Sequence, residues 1–327
     1  MDSKEIVKRA IHFKNPPRLP RFWYKDHDDD SDILLVPLRK WYEGLEENEA
    51  ELGFVWAKAD TDKMSMGVPK EYPLKDWDDF ENYVKNVFPD PYAADRFKLA
   101  DSMDFSDKYI IADLYLSGFT GMWLIRGFHE VLSDMCVEPE RFNKLADLIF
   151  DFETEVIRQC AAYNFDCVYF ADDWGMQSTM MISPEMWREH FKERYKKQFQ
   201  LCHELGMDVY FHTCGYVYPI LQDFIDIGVD IFHLGQVNVN NIKKVGEDFS
   251  GKVCFCATID YQSTGPYGTK EEIFDEAKEL IDNLCNEHGG LFVQLLDYET
   301  MGYANAIAGN TMLAREAFIS QDPYVNK

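Results

Sequence analysis

The chain runs to 327 residues, 46% of them hydrophobic, and carries 33 basic against 58 acidic side chains, a net charge of −25. That length suits one large α/β barrel or two ordinary domains, and the charge repels nucleic acid and anionic membrane, which excludes both as partners. No apolar run reaches the roughly 20 residues that span a bilayer, and the eight cysteines form no compact disulfide framework, so a cytoplasmic protein with reduced thiols is expected.

In chain order, "MDSKEIVKRAIHF" is charged and lacks the apolar centre of a signal peptide. "RLPRFWY" leads toward a first strand in "ELGFVWAKAD", and the acidic cluster "DHDDDSD" between them has the composition of a solvated surface loop. From about residue 108 short apolar runs alternate with helical patterns, the rhythm of a parallel sheet with crossover helices. The strands are "YIIADLYL", "DCVYFADD", "DVYFHTCG", "DIFHLGQ", "VCFCATID" and "LFVQLLD". Ser183-Pro184-Glu185 opens one helix with an N-cap and a proline at its first position, followed by Trp187, Phe191, Tyr195, Phe199 and Cys202 at spacings of three and four, and Gly206 closes it. Thr269 and Glu272 form a capping box ahead of a face made by Ile273, Phe274, Ala277, Leu280, Ile281 and Leu284. No Gly-rich turn of the dinucleotide-binding or P-loop kind follows any strand, which disfavours a doubly wound open sheet. The expected fold is a single (β/α)8 TIM barrel over residues 1–327, with an N-terminal extension of about 50 residues.

In such a barrel the active site lies at the C-terminal ends of the strands. Those ends carry Asp172 and Asp173, His212 and Cys214, Gln236, Cys256 and Asp260, and finally Asp297. Strand parity places Val209, Phe211 and Thr213 toward the helices, which turns Tyr210, His212 and Cys214 inward; the same logic turns Cys254 and Cys256 inward. Thiolate sulfur with imidazole is a zinc ligand set, and a catalytic zinc needs only three protein ligands. His212 and Cys214 with Cys254 or Cys256 are therefore the candidate metal ligands. The Asp172-Asp173 pair could act as acid or base, bind substrate with Gln177, or cap the next turn. Tyr210, Gln236 and Asp260 are further candidates for substrate contact, and Trp174, Tyr210 and Tyr261 could form an aryl pocket. His233 serves equally as a core histidine or a ligand.

The segments "YFADDWGMQSTMMISPEMWREHFKERYKK" and "GMDVYFHTCGYVYPILQDFIDIGVDIFHLGQ" resemble the uroporphyrinogen decarboxylase superfamily, in particular its corrinoid-dependent methyltransferase-like members. The likeness extends from "VKRAIHFKNPPRLPRFW" to "GGLFVQLLD" and "GNTMLAREAF", and its most specific element is His212-x-Cys214-Gly215. It implies the barrel fold, a zinc held by the His-x-Cys pair with a cysteine from a later strand, and methyl transfer from a small methylated donor, such as an aryl methyl ether, to a corrinoid (cobalamin). Asp297 stands where that later cysteine is expected, so the third ligand is Cys254, Cys256 or Asp297. The chain has no Asp-x-His-x-x-Gly corrinoid motif, which puts the corrinoid on a separate protein. Only Arg18 and Arg21 stand where the decarboxylase itself carries an arginine-rich motif, which ranks porphyrinogen decarboxylation below methyl transfer. A binding barrel without catalysis is the remaining alternative.

Overall fold

Strands whose every residue is buried must have neighbours on both faces, as in parallel sheets covered by helices. Tyr109–Asp113, Ile231–Leu234, Cys254–Ala257 and Leu291–Leu295 are buried at every position. The computed structural model describes the chain apart from residues 24–29, 39–49, 58–67, 103–106, 115–116, 299–302, 304 and 326–327. Its strands are β1 (Arg21–Trp23), β2 (Ile33–Pro37), β3 (Val55–Ala57), β4 (Val68–Glu71), β5 (Tyr109–Asp113), β6 (Cys167–Ala171), β7 (Asp208–Thr213), β8 (Ile231–Leu234), β9 (Cys254–Ala257) and β10 (Leu291–Leu295).

Among the described residues eight strands form one parallel sheet in the order β1-β10-β9-β8-β7-β6-β5-β2. Its two ends meet, because Asp32 donates its backbone N–H to the Arg21 carbonyl at 2.8 Å and accepts the Arg21 N–H on its carboxylate, also at 2.8 Å. The protein is a single (β/α)8 TIM barrel.

Three expectations change in the N-terminal part. The second barrel strand is Ile33–Pro37, and "ELGFVWAKAD" instead supplies β3 of an antiparallel β3–β4 pair outside the barrel. Among the described residues of this N-terminal part, β1 and β2 belong to the barrel sheet, and helix Ser3–Ile11 sends Val7 and Ile11 into the interior cluster. Lys4 and Lys8 of that helix pair with Asp166 at 2.9 and 2.8 Å. Finally, the end of "DHDDDSD" is not solvated: Asp32 is 1% exposed and takes both arms of Arg18 at 2.6 Å, because it closes the seam between β1 and β2. The cluster's first residues, 26–29, lie outside the described residues.

Two apolar layers follow from strand parity. Phe22, Ile33, Tyr109, Ile111, Cys167, Tyr210, Ile231, Cys254, Cys256 and Phe292 fill the interior, and the other face packs on the helices. Moving up β7 the inward positions read Tyr210, His212, Cys214, and up β8 they read Ile231, His233, Gly235. The interior thus changes from apolar to polar toward the C-terminal mouth. Among the helices, Ser183 caps Pro184–His190 and accepts the Met186 N–H at 3.2 Å, and the helix breaks at Phe191 before resuming as Lys192–Glu204. The Thr269–Glu272 capping box is formed on Lys270–Leu284. Among the described residues no helix is long and apolar enough to cross a membrane.

Candidate metal centre at the barrel mouth

The loops after β6 and β7 touch backbone to backbone. Gly175 donates its N–H to the Cys214 carbonyl at 3.0 Å, and Tyr216 donates to the Met176 carbonyl at 2.7 Å. A Cβ on Gly175 would lie 2.4 Å from the Gly215 carbonyl carbon, and one on Gly215 would lie 2.2 Å from that of Gly175. No side chain fits at either position, and Gly215 has a φ of +77° that also favours glycine. Asn240, 2% exposed, secures the second loop by accepting the Val217 and Tyr218 N–H groups at 2.8 and 3.0 Å and donating to the Gly215 carbonyl at 2.9 Å.

This approach brings Asp173 onto Cys214, whose N–H donates to Asp173 Oδ1 at 2.8 Å. His212 Nε2 lies 3.4 Å from Cys214 Sγ and 3.7 Å from Asp173 Oδ1, and one donor atom from each of the three side chains falls within 4.8 Å of the other two. Zinc bonds of about 2.3 Å to sulfur and 2.0–2.2 Å to nitrogen or oxygen, at tetrahedral angles, separate the donors by about 3.3–3.6 Å. The donor set, and the separations of its sulfur and carboxylate oxygen from His212 Nε2, suit a zinc-sized ion. Gly235 supplies a second fit: a Cβ there would stand 2.7 Å from Cys214 Sγ, 3.1 Å from His212 Cε1 and 3.2 Å from the Tyr261 hydroxyl. Absence of a side chain at Gly235 keeps the donors clear.

Burial pushes the Cys214 thiol up, with the Asp173 charge adding to it, and pushes His212 down against the pull of Asp173. The thiol and the imidazole are thus both held toward their neutral forms. A divalent cation would stabilise the thiolate, and with thiolate and carboxylate the assembly would be electrically neutral. Tyr261 reaches Cys214 Sγ with its hydroxyl at 3.4 Å. Above the donors, Gln177 donates to the Gln236 carbonyl oxygen at 3.4 Å and Gln236 to that of Gln262 at 2.8 Å, a neutral amide chain across the rim.

The other candidates lie elsewhere. Asp172 is fully buried and faces the helix layer, where it accepts the Phe119 N–H at 2.9 Å, the Thr120 N–H and hydroxyl at 2.7 Å each, and the Tyr195 hydroxyl. It caps the helix Gly118–Arg126 and does not reach the mouth; alternation along "CVYFADD" carries the signal, since Asp173 shares the inward face of Cys167 and Tyr169. Cys254 is in register with Ile231, which is in register with Tyr210, so it lies one inward layer below His212. Cys256 turns its thiol to Gln294 Oε1 at 3.9 Å. Neither cysteine joins the three donors, and neither does Asp297; among the described residues Asp173 completes the set. Tyr210, 1% exposed, packs its ring between Tyr169 and Phe292. Asp260 turns its own loop by accepting the Gln262 and Ser263 N–H groups at 2.7 and 3.0 Å. Trp174, fully buried, stacks on Phe119 among the helices, so it forms no part of an aryl pocket.

The molecule is a (β/α)8 barrel with a three-donor candidate metal centre at its C-terminal mouth. The family described as uroporphyrinogen decarboxylase (URO-D) matches residues 113–295, from the end of β5 through β10. This is more than half of the chain, and the chain belongs to that family. Among solved structures, the chain is similar to a methyltransferase from Methanosarcina mazei, with 15% identity, 78% of this chain and 71% of that one covered, and a TM-score of 0.55. It is also similar to D-psicose 3-epimerase (9% identity, 65% and 78% covered, TM-score 0.41) and to 3-keto-D-glucoside 4-epimerase from E. coli (12%, 64% and 77%, 0.39). Among curated proteins no relative matches the chain.

Proposed function

We propose that this chain is a cytoplasmic methyltransferase that moves a methyl group from a small methylated donor to a corrinoid carried on a separate protein, and that Asp173, His212 and Cys214 hold a zinc ion in its site. The observation that carries the reading is the convergence of these three donors, with Cys214 and His212 lying against Gly235. Family membership and the resemblance of the His212-x-Cys214-Gly215 segment to corrinoid methyltransferases support it. Arg18 and Arg21 engage Asp32 and Asp30 and are not directed to a polycarboxylate, which disfavours a porphyrinogen as substrate.

In the proposed reaction the bond between the donor's methyl carbon and its oxygen, nitrogen or sulfur breaks, and its electron pair stays on the heteroatom. The reduced cobalt of the corrinoid substrate supplies the pair for the new cobalt–carbon bond. Negative charge gathers on the departing heteroatom, and a bound zinc ion supplies Lewis-acid stabilisation there. The Tyr261 hydroxyl is placed to donate a hydrogen bond at the same end of the barrel. Gln177 and Gln236 give the donor neutral polar contacts at the rim, and the methyl group must face outward for in-line attack.

The test combines metal analysis with turnover. Protein purified without added metal should contain about one zinc per chain, lost in Cys214→Ser and Asp173→Ala and kept in Cys254→Ser and Cys256→Ser. With a reduced corrinoid protein and a panel of methoxyaromatics, methylated amines and thiols, at least one donor should yield methylcobalamin absorbance. Release of carbon dioxide from a carboxylated substrate, with no methylation across the panel, would replace this reading with decarboxylation.

A further inference from the structure

His212 and His233 face inward from adjacent strands in direct register, with Nδ1 of one 3.0 Å from Nδ1 of the other and ring centroids 4.7 Å apart. A contact this short between two ring nitrogens is a hydrogen bond, with a hydrogen on one nitrogen and a lone pair on the other. The short contact therefore contains one proton, and there are two ways to place it. If His233 Nδ1 holds it, the hydrogen of His212 is on Nε2, where it points at Cys214 Sγ and Asp173 Oδ1 and obstructs a metal. If His212 Nδ1 holds it, the Nε2 lone pair faces those two groups, and the hydrogen of His233 sits on its own Nε2.

His233 is 7% exposed, and its Nε2 has no hydrogen-bond partner among the described residues. A buried polar atom without a partner lowers stability, so fold stability does not explain a histidine here. We propose that His233 is a positioning residue that fixes His212 in the Nδ1–H tautomer and thereby presents the Nε2 lone pair to a metal ion shared with Cys214 and Asp173. This rests on the three donors being a metal site. It adds that the acceptor at position 233 controls the strength of that site, as hydrogen-bond partners of metal-bound histidines do.

The experiment is Zn2+ affinity by chelator competition on wild type, His233→Leu and His233→Asn, together with the melting temperature of each apoprotein. Leucine removes the acceptor, and asparagine keeps an oxygen near the position of Nδ1. The Leu variant should bind Zn2+ about 10- to 100-fold more weakly than wild type, with a melting temperature equal or higher. The Asn variant should retain most of the affinity. Equal affinity in Leu and wild type, or equal loss in Asn and Leu, would overturn the positioning role while leaving the metal site intact. Absence of Zn2+ binding by wild type would reject the site reading itself. Independently of folding in any variant, nitrogen NMR of the histidine-labelled, zinc-loaded wild type should show the proton on His212 Nδ1, and a proton on His233 Nδ1 would reject the assignment.

Discussion

Gly235→Ala tests the geometry of the mouth with one methyl group. Gly235 does not occupy the left-handed region that resists a side chain, so the substitution acts through space. The new Cβ would lie 2.7 Å from Cys214 Sγ, whereas non-bonded carbon contacts settle at about 3.5–4.0 Å and sulfur is larger than carbon. The sulfur must retreat by about 1 Å, several times the roughly 0.2 Å tolerance of a metal–ligand distance. Loss of Cys214 as a ligand should weaken Zn2+ binding by more than the roughly 100-fold that follows loss of a ligand's hydrogen-bond partner. Overpacking costs about 1–3 kcal/mol and the reduced freedom of the unfolded chain returns about 0.4–1 kcal/mol, so the melting temperature should fall by a few degrees. Chelator competition measures the affinity, and the absorbance of the Co2+ form reports whether sulfur still coordinates. Wild-type Zn2+ affinity with an intact sulfur-to-cobalt band in Gly235→Ala would refute the placement of Cys214 over Gly235.

Asp172→Asn sets an amide NH2 against the N–H and hydroxyl donors of Phe119, Thr120 and Tyr195; the expected loss is about 1–3 kcal/mol in a denaturant titration, with zinc content unchanged. His203, bonded to Asp230 at 2.8 Å, is raised above the ordinary histidine value by that bond. Its contribution to stability is complete below about pH 6.5 and lost as the pH climbs through the raised value. The melting-temperature gap between wild type and His203→Gln should therefore be widest near pH 6 and narrow toward pH 8; a constant gap would rule out the charged pair. Thr269→Ala removes the capping box of Lys270–Leu284 and should cost about 1 kcal/mol without any change in zinc affinity.

The barrel was legible because its evidence is periodic. Fully apolar runs separated by amphipathic helices specify parallel strands buried on both faces, and the alternation in "VYFHTCG" turns His212 and Cys214 into the interior. The Thr269–Glu272 cap and the Ser183-Pro184 helix start are equally local, since each is satisfied within a few residues. Ile33–Pro37 escaped notice because the acidic cluster before it looks solvated, and only closure of the barrel seam shows that Arg18 neutralises Asp32.

The choice of third donor belongs to the tertiary structure. Sequence shows that Cys254 and Cys256 point inward, but parity gives direction without height, and the register of β7, β8 and β9 sets Cys254 one layer too low. Asp173 becomes the partner of His212 and Cys214 because Gly175 and Gly215 let two loops meet backbone to backbone, a contact between residues 40 apart in sequence that no local pattern announces. The same holds for His233, whose strand alternation left its face open. The role proposed for it rests on a single proton shared across a 3.0 Å contact between neighbouring strands, and such a proton can be assigned only after the strands are paired.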